Sequence, residues 1–241
     1  MFSIFLKEIR SFLSSLIAYV VIIVFLLLIG LFTWVFADVN VLSLGYSNLD
    51  TLFAMAPWVF IFLIAAITMR SFSEEIRQGT FEILATKPIT NMQIILGKYF
   101  ASVVLVVFAL LPTLIYFYSI YQLGLPKGNI DVGATWGSYI GLVFLGACYA
   151  AIGVFSSAVT PNQIVAFILA MFLCFFFYIG FQRISNLSLF GGFDHLVQWF
   201  GIQYHYDSIS RGVLDTRDVV YFLSVISTFL GLTFLTLESR K

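Results

Sequence analysis

Charge is what this sequence has least of. Its 241 residues hold 12 lysines and arginines and 12 aspartates and glutamates, one residue in ten, and the two signs cancel. That balance excludes the basic footprint of a nucleic-acid-binding surface. Cysteine is nearly absent too. Cys148 and Cys174 both fall inside apolar runs, so no disulfide framework is implied and both read as packing residues. Histidine is limited to His195 and His205, near Asp194 and Asp207, without the helical H-E-x-x-H spacing of a metal centre; they read as interfacial polar residues. No G-x-S-x-G offers a serine nucleophile, and the one Gly-Lys pair, Gly97-Lys98, lacks the earlier glycine of a phosphate-cradling loop. No catalytic, cofactor or metal site is expected on this chain, and any ATP-driven work would need an ATPase on another.

What fills the space is hydrocarbon. Uncharged runs cover 11–37, 51–69, 99–126, 132–182 and 219–237, and the mean hydropathy is +1.03. A bilayer core about 30 Å thick takes roughly 20 apolar residues at about 1.5 Å each, so the shorter runs are one transmembrane helix apiece. The 51-residue run must be two, divided at Thr160, Pro161, Asn162 and Gln163, where proline and turn-forming residues interrupt it. The expectation is an all-α polytopic membrane protein of six spans, near 12–37, 51–69, 99–125, 134–160, 163–181 and 219–237. No repeat, low-complexity tract or linker divides it, so 1–241 reads as a single domain. The first run is too long for a signal h-region and ends without a small-residue cleavage site, so it is expected to remain.

The cations sort by side. Lys7, Arg10, Arg70, Arg77, Lys87, Lys98, Arg240 and Lys241 fall with the termini, against Lys127, Arg183, Arg211 and Arg217 opposite, which puts both termini in the cytoplasm. No ionisable residue lies inside the spans as drawn, which argues against ion-coupled secondary transport and leaves it the weaker alternative.

Smaller signals refine the outline. Phe2, Phe5, Leu6, Ile9, Phe12 and Leu13 recur at helical spacing while Lys7, Glu8 and Arg10 take the other face, as in a helix lying along the inner interface before turning into the first span. An extension of one long tilted helix fits the same residues. Gly137, Gly141, Gly146 and Gly153 form a small-residue stripe for close helix approach, either within the chain or at a seam between subunits. Pro57 and Pro112 should kink their helices. Segment 182–218 is too long and apolar for a plain connector. Phe193, Leu196, Val197 and Phe200 share a face, so it reads as short re-entrant or interfacial helices, with Asp215 and Asp218 capping the last span.

The most informative stretch is a charged island, 70–98, holding seven of the 24 charged residues between two spans. Arg70 with Glu74, and Glu74 with Arg77, would extend the second helix past the membrane. Gly79 breaks it. Thr80 suits an N-cap for a second short helix, with Glu82 in its first turn and Phe81, Ile83 and Leu84 as its apolar surface. Pro88 ends that element, Thr90 with Gln93 makes a capping box for the third span, and Lys98 falls at its interfacial start. An apolar patch exposed to cytoplasm fits a partner's groove, or equally the headgroup layer.

The run RSFSEEIRQGTFEILATKPI, 70–89, resembles the signature of ABC-2 type permeases, in which two acids precede a Gly-Thr-x-Glu helix and a proline. FLKEIRSFLSSLIAYV at the start, APW at 56–58, ALLPTLIY around Pro112, NQIVAFILA after Pro161 and SISRGVLDTRDVVYF before the last span resemble the gliding-motility-associated permease subunit (GldF type), with copper-enzyme maturation permeases sharing much of the pattern. The resemblance implies an exporter-type half-transporter in the bacterial inner membrane. It implies pairing with a second membrane subunit or a second copy, with two copies of a cytoplasmic ATPase that carry ATP and Mg, and with a periplasmic or membrane-anchored accessory protein. It implies an elbow helix over 2–12, including Phe5, Lys7, Glu8 and Arg10. It also implies a coupling helix over 79–86 that docks on the ATPase, with Glu74, Glu75, Arg77, Gly79, Thr80, Phe81, Glu82, Leu84 and Pro88 as the coupling residues. Segments 38–50 and 182–218 would face the periplasm.

Overall fold

The computed structural model describes residues 1–36, 40–80, 90–187, 191, 194–213 and 215–239. Helix α1 (Phe2–Leu13) is followed at once by α2 (Leu16–Trp34), and the break falls at Ser15, whose extended backbone (φ −90°, ψ 133°) stops one helix and starts the next. The two are thus separate, as the amphipathic spacing anticipates, and the first span begins later than residue 12. A short turn of helix, α3 (Val41–Leu44), leads to α4 (Asp50–Thr68), which carries Pro57 inside it; α5 (Ser73–Arg77) follows after a four-residue turn. Helix α6 (Asn91–Leu110) tightens into one 3₁₀ turn at Pro112, then continues as α7 (Leu114–Leu123). Next come α8 (Val132–Val159) and α9 (Gln163–Phe175), which a π-helical turn (Phe176–Gly180) joins to α10 (Phe181–Asn186). Two short helices, α11 (Asp194–Trp199) and α12 (Ile202–Ile209), precede α13 (Thr216–Glu238).

Among the described residues six helical segments are long and apolar enough to cross a bilayer: Leu16–Trp34, Asp50–Arg77, Asn91–Leu123, Val132–Val159, Gln163–Asn186 and Thr216–Glu238. The expected number and order hold, and so does the division at 160–163, where Thr160 ends α8 in extended backbone and the Asn162 side chain accepts the Ile164 N–H to start α9.

Helix α8 is the hub, with 19 of its 28 residues buried against α4, α6, α9 and α13. Its glycines explain how. A β-carbon on Gly153 would lie 2.8 Å from Thr68 Cβ, one on Gly146 2.7 Å from a Val106 methyl, one on Gly141 2.5 Å from an Ile209 methyl and one on Gly137 2.7 Å from the Gly212 carbonyl oxygen. The stripe is therefore spent on packing inside the chain, because lipid supplies no hydrophobic drive between helices and close backbone approach must. The Gly137 end of α8 and the Ser157 end, where Ser157 Oγ accepts the Phe72 N–H at 3.2 Å, stand about 30 Å apart.

Two expectations fail at the helix ends. The third span starts at Asn91 because the Thr90–Gln93 capping box, present as the sequence predicts, sets the helix start and not the last charge before the apolar run. Lys98 therefore lies about 10 Å inside the helix rather than at its interfacial start. At the opposite end of the bundle Asp215 alone caps α13, through the Arg217 N–H at 3.0 Å, while Asp218 turns inward. Among the described residues the spans thus hold two buried charged groups, Lys98 and Asp218, each buried because distant segments bring partners to it.

Candidate coupling site at the charged end of the bundle

Helix α1 lies across α6 where Gly97 leaves room: a β-carbon there would stand 3.2 Å from both an Ile4 methyl and the Met1 carbonyl oxygen. That approach sets Glu8 beside Lys98. The lysine, 1% exposed, donates to Glu8 Oε1 at 2.8 Å and to the Ser71 carbonyl at 2.6 Å, and its ammonium also pairs with Glu75 Oε1 at 3.1 Å. The ammonium thus makes two hydrogen bonds and faces two carboxylates. The ammonium stands 5.1 Å from the Phe72 ring centroid, a cation–π contact on its remaining side. Lys7 closes the network from outside, donating to Glu75 Oε1 at 2.8 Å. Two cations and two carboxylates balance, so the buried charge is compensated.

The network joins three pieces of chain: the elbow, the segment that leads out of the second span, and the third span. Burial opposes charge on Lys7, yet its hydrogen bond to Glu75 and the fields of Glu75, Glu8 and Glu74 hold the ammonium above its ordinary value. A cavity of about 380 Å³ opens beside it, lined by Glu8, Ser11, Phe12, Arg70, Glu75, Thr80 and Leu105 among others.

The predicted site residues divide accordingly. On the elbow, Lys7 and Glu8 join the network, Phe5 stacks on Phe2 with ring centroids 6.1 Å apart, and Arg10 is exposed. On the island, Glu75 is in the network and Glu74 accepts from Gln78 Nε2 at 3.3 Å instead of pairing with Arg70 or Arg77. A turn at 69–72 separates α5 from α4, so Arg70 lies outside the helix that carries Glu74 and the i,i+4 geometry does not reach it. Arg77 and Thr80 are exposed, and the Thr80 hydroxyl donates to the Glu75 carbonyl at 3.3 Å. Gly79 stops the segment at φ +68°, with open space around its α-carbon, so the backbone angle rather than crowding calls for glycine. Phe81, Glu82, Leu84 and Pro88 lie outside the described residues.

Sequence reasoning missed the link between elbow and island. A signal was present: a lysine eight residues past a capping box sits in hydrocarbon unless carboxylates reach it, and Glu8 and Glu75 are the carboxylates nearby on the same side.

A second buried pair occupies the other end of α8. His205 is 2% exposed, so it is a core residue and not the interfacial one expected, with Nδ1 2.7 Å from Asp218 Oδ1 and Nε2 3.0 Å from the Trp199 carbonyl oxygen. His195, by contrast, is exposed. Among the described residues no group of three metal-ligating side chains is assembled.

Six spanning helices packed on a small-residue hub, with the charged segments drawn together by an ion network at one end, define a polytopic helical membrane domain. The model of the ABC-2 family transporter proteins matches residues 2–237, and the chain belongs to that family. It is accordingly a non-catalytic membrane permease that pairs with ATPase subunits, where ATP is hydrolysed. No curated protein matches the sequence.

Proposed function

We propose that this chain, as a single transmembrane domain over 1–241, is the permease subunit of an exporter-type ABC system in a bacterial inner membrane, with both termini and the charged island in the cytoplasm. Two copies of the ATPase, carrying ATP and Mg, act beneath this chain and a second membrane subunit or second copy. Segment 79–86 seats in a groove of the ATPase through Phe81 and Leu84, Glu82 meets a cationic or backbone donor there, and Gly79 and Pro88 bound the moving piece. The output is export, or mechanical work on a periplasmic or membrane-anchored partner, in gliding motility.

One observation carries the mechanism: Lys98 binds Glu8 and Glu75 at once. A push on the island is therefore received by the elbow and the third span together, since a compensated buried ion network is costly to open. The Ser157 bond to Phe72 extends the same base to the hub helix. Bistable interfaces of this kind convert a small displacement into rigid-body motion.

Copurification and stimulation of the ATPase test the reading. Glu82→Lys and Phe81→Asp are expected to abolish both while leaving the permease folded in the membrane. Intact ATPase binding and stimulation in both variants would overturn the assignment.

A further inference from the structure

Helix α1 carries a face that the Lys98 network leaves over. Ile4 and Glu8 point to α6, the first onto Gly97 and the second onto Lys98, whereas Phe2, Leu6 and Arg10 form an i, i+4, i+8 row beside Ser3 and Lys7. These five residues line a shallow groove of about 460 Å³. Phe2 is 71% exposed, and Ser3, Lys7 and Arg10 are exposed with it.

The groove lies at headgroup depth. Gly97, where α1 crosses α6, is about 9 Å from the start of that helix at Asn91. At Ser15 the chain turns directly into α2, whose first turns already face outward, with Leu16 79% and Tyr19 53% exposed. An apolar edge of Phe2 and Leu6 beside cations at that level is the pattern of a helix lying in the bilayer interface.

Charge decides what fills it. Lys7, Lys98, Glu8 and Glu75 balance one another, so Lys7 brings donors and no net charge; one of its N–H groups goes to Glu75 and the others are left over. Arg10 differs. Its guanidinium makes no hydrogen bond or ion pair among the described residues, and it stands one turn from Lys7 with an uncompensated positive charge. No carboxylate lines the groove, since the one acid of α1, Glu8, is held by Lys98. A phosphodiester therefore finds donors from two side chains and a net attraction, while the cation of an ethanolamine or choline headgroup finds no counter-ion. A lipid with a phosphate and no cation fits, its acyl chain against Phe2 and Leu6.

We propose that the elbow groove binds the headgroup phosphate of an acidic phospholipid through Arg10 and Lys7. The inference rests on the six-span fold, and not on the docking of an ATPase or on which leaflet the elbow meets.

Native mass spectrometry of the full chain in detergent, which resolves each bound lipid, tests it. Phosphatidylglycerol is titrated beside phosphatidylethanolamine and phosphatidylcholine of the same acyl chains. We expect the first phosphatidylglycerol to bind about fivefold tighter than either zwitterionic lipid, the worth of one uncompensated cation at a membrane surface. Arg10→Gln should reduce that preference to less than about twofold, and Arg10→Lys should keep most of it, because charge matters more here than the guanidinium fork. Arg10 is exposed and unpartnered, so neither substitution disturbs packing. Arg183→Gln, which removes the same charge from an exposed position at the opposite end of the bundle, should leave the preference unchanged. No preference in the parent, a preference that survives Arg10→Gln, or an equal loss in Arg183→Gln overturns the proposal. So does loss of a dimer in Arg10→Gln with lipid binding intact, which would assign the groove to a second copy of the chain. No ATPase enters the assay, so this failure is distinct from a failure of the coupling assignment.

Discussion

Lys98 is the residue on which the charged end depends. Removing one member of a compensated buried ion group costs about 3–5 kcal/mol, because its partners are left charged and poorly solvated. Lys98→Met should therefore lower stability in detergent by an amount of that order, and adding Glu8→Gln and Glu75→Gln should restore much of it, as neutral side chains of similar volume need no counter-ion. Thermal unfolding of the three-fold variant against the single one checks this. Lys7 is a different case: its folded value lies above the unfolded one, so its contribution is full at all pH below the ordinary lysine range and fades only above it. Being 61% exposed, it is screened by salt. Asp207 runs the other way. With its folded value raised, the unfolded chain releases its proton first, so stability is fully present below the ordinary carboxylate range and falls as pH rises through the folded value. Asp207→Asn cannot titrate and should unfold at a higher temperature than the parent at neutral pH, with the gain vanishing in acid.

Helix α8 sets the tolerance of the elements around it. A methyl added at Gly153 falls within 2.8 Å of Thr68 Cβ, a contact no rotamer change of Thr68 relieves, so Gly153→Ala should cost about 1–3 kcal/mol of overpacking. At Gly231, in the last span, the same methyl meets nothing within 4 Å, and Gly231→Ala should be neutral or stabilise by up to about 1 kcal/mol through helix propensity. Unfolding midpoints of the two variants, measured side by side, separate crowding from propensity. Such local features were legible: the capping box at Thr90, the turn at Pro161, the elbow spacing before Ser15 and the small-residue stripe all act over a few residues, and each is where the sequence puts it. Lys98 was not, because Glu8 stands 90 positions away and charge patterning shows only neighbours. His205 and Asp218 escaped for the same reason: a cap and a loop histidine read locally as two surface groups, and only the α12–α13 packing makes them one buried pair. Of the candidate elbow and coupling residues, Lys7, Glu8 and Glu75 gain partners that the sequence never linked, and Phe81, Glu82, Leu84 and Pro88 lie outside the described residues.

Across the whole molecule the decisive quantity is which end of α8 meets the cytoplasm. Gln78 follows α5 at the island end and Ser239 ends the last helix; Asn129 lies in the turn before α8, about one bilayer thickness away along the hub. All three are exposed, whereas Cys148 and Cys174 are buried and supply little background reactivity. An even number of crossings between Gln78 and Ser239, and an odd number between either and Asn129, follows from six spans. Single cysteines at the three positions should therefore react in two groups in intact spheroplasts: Asn129→Cys with an impermeant maleimide added outside, Gln78→Cys and Ser239→Cys only after lysis. Outside labelling at Gln78 would put the island where no cytoplasmic ATPase reaches it. The Lys98 network would then be a structural clamp and nothing more, and force would have to enter the bundle elsewhere.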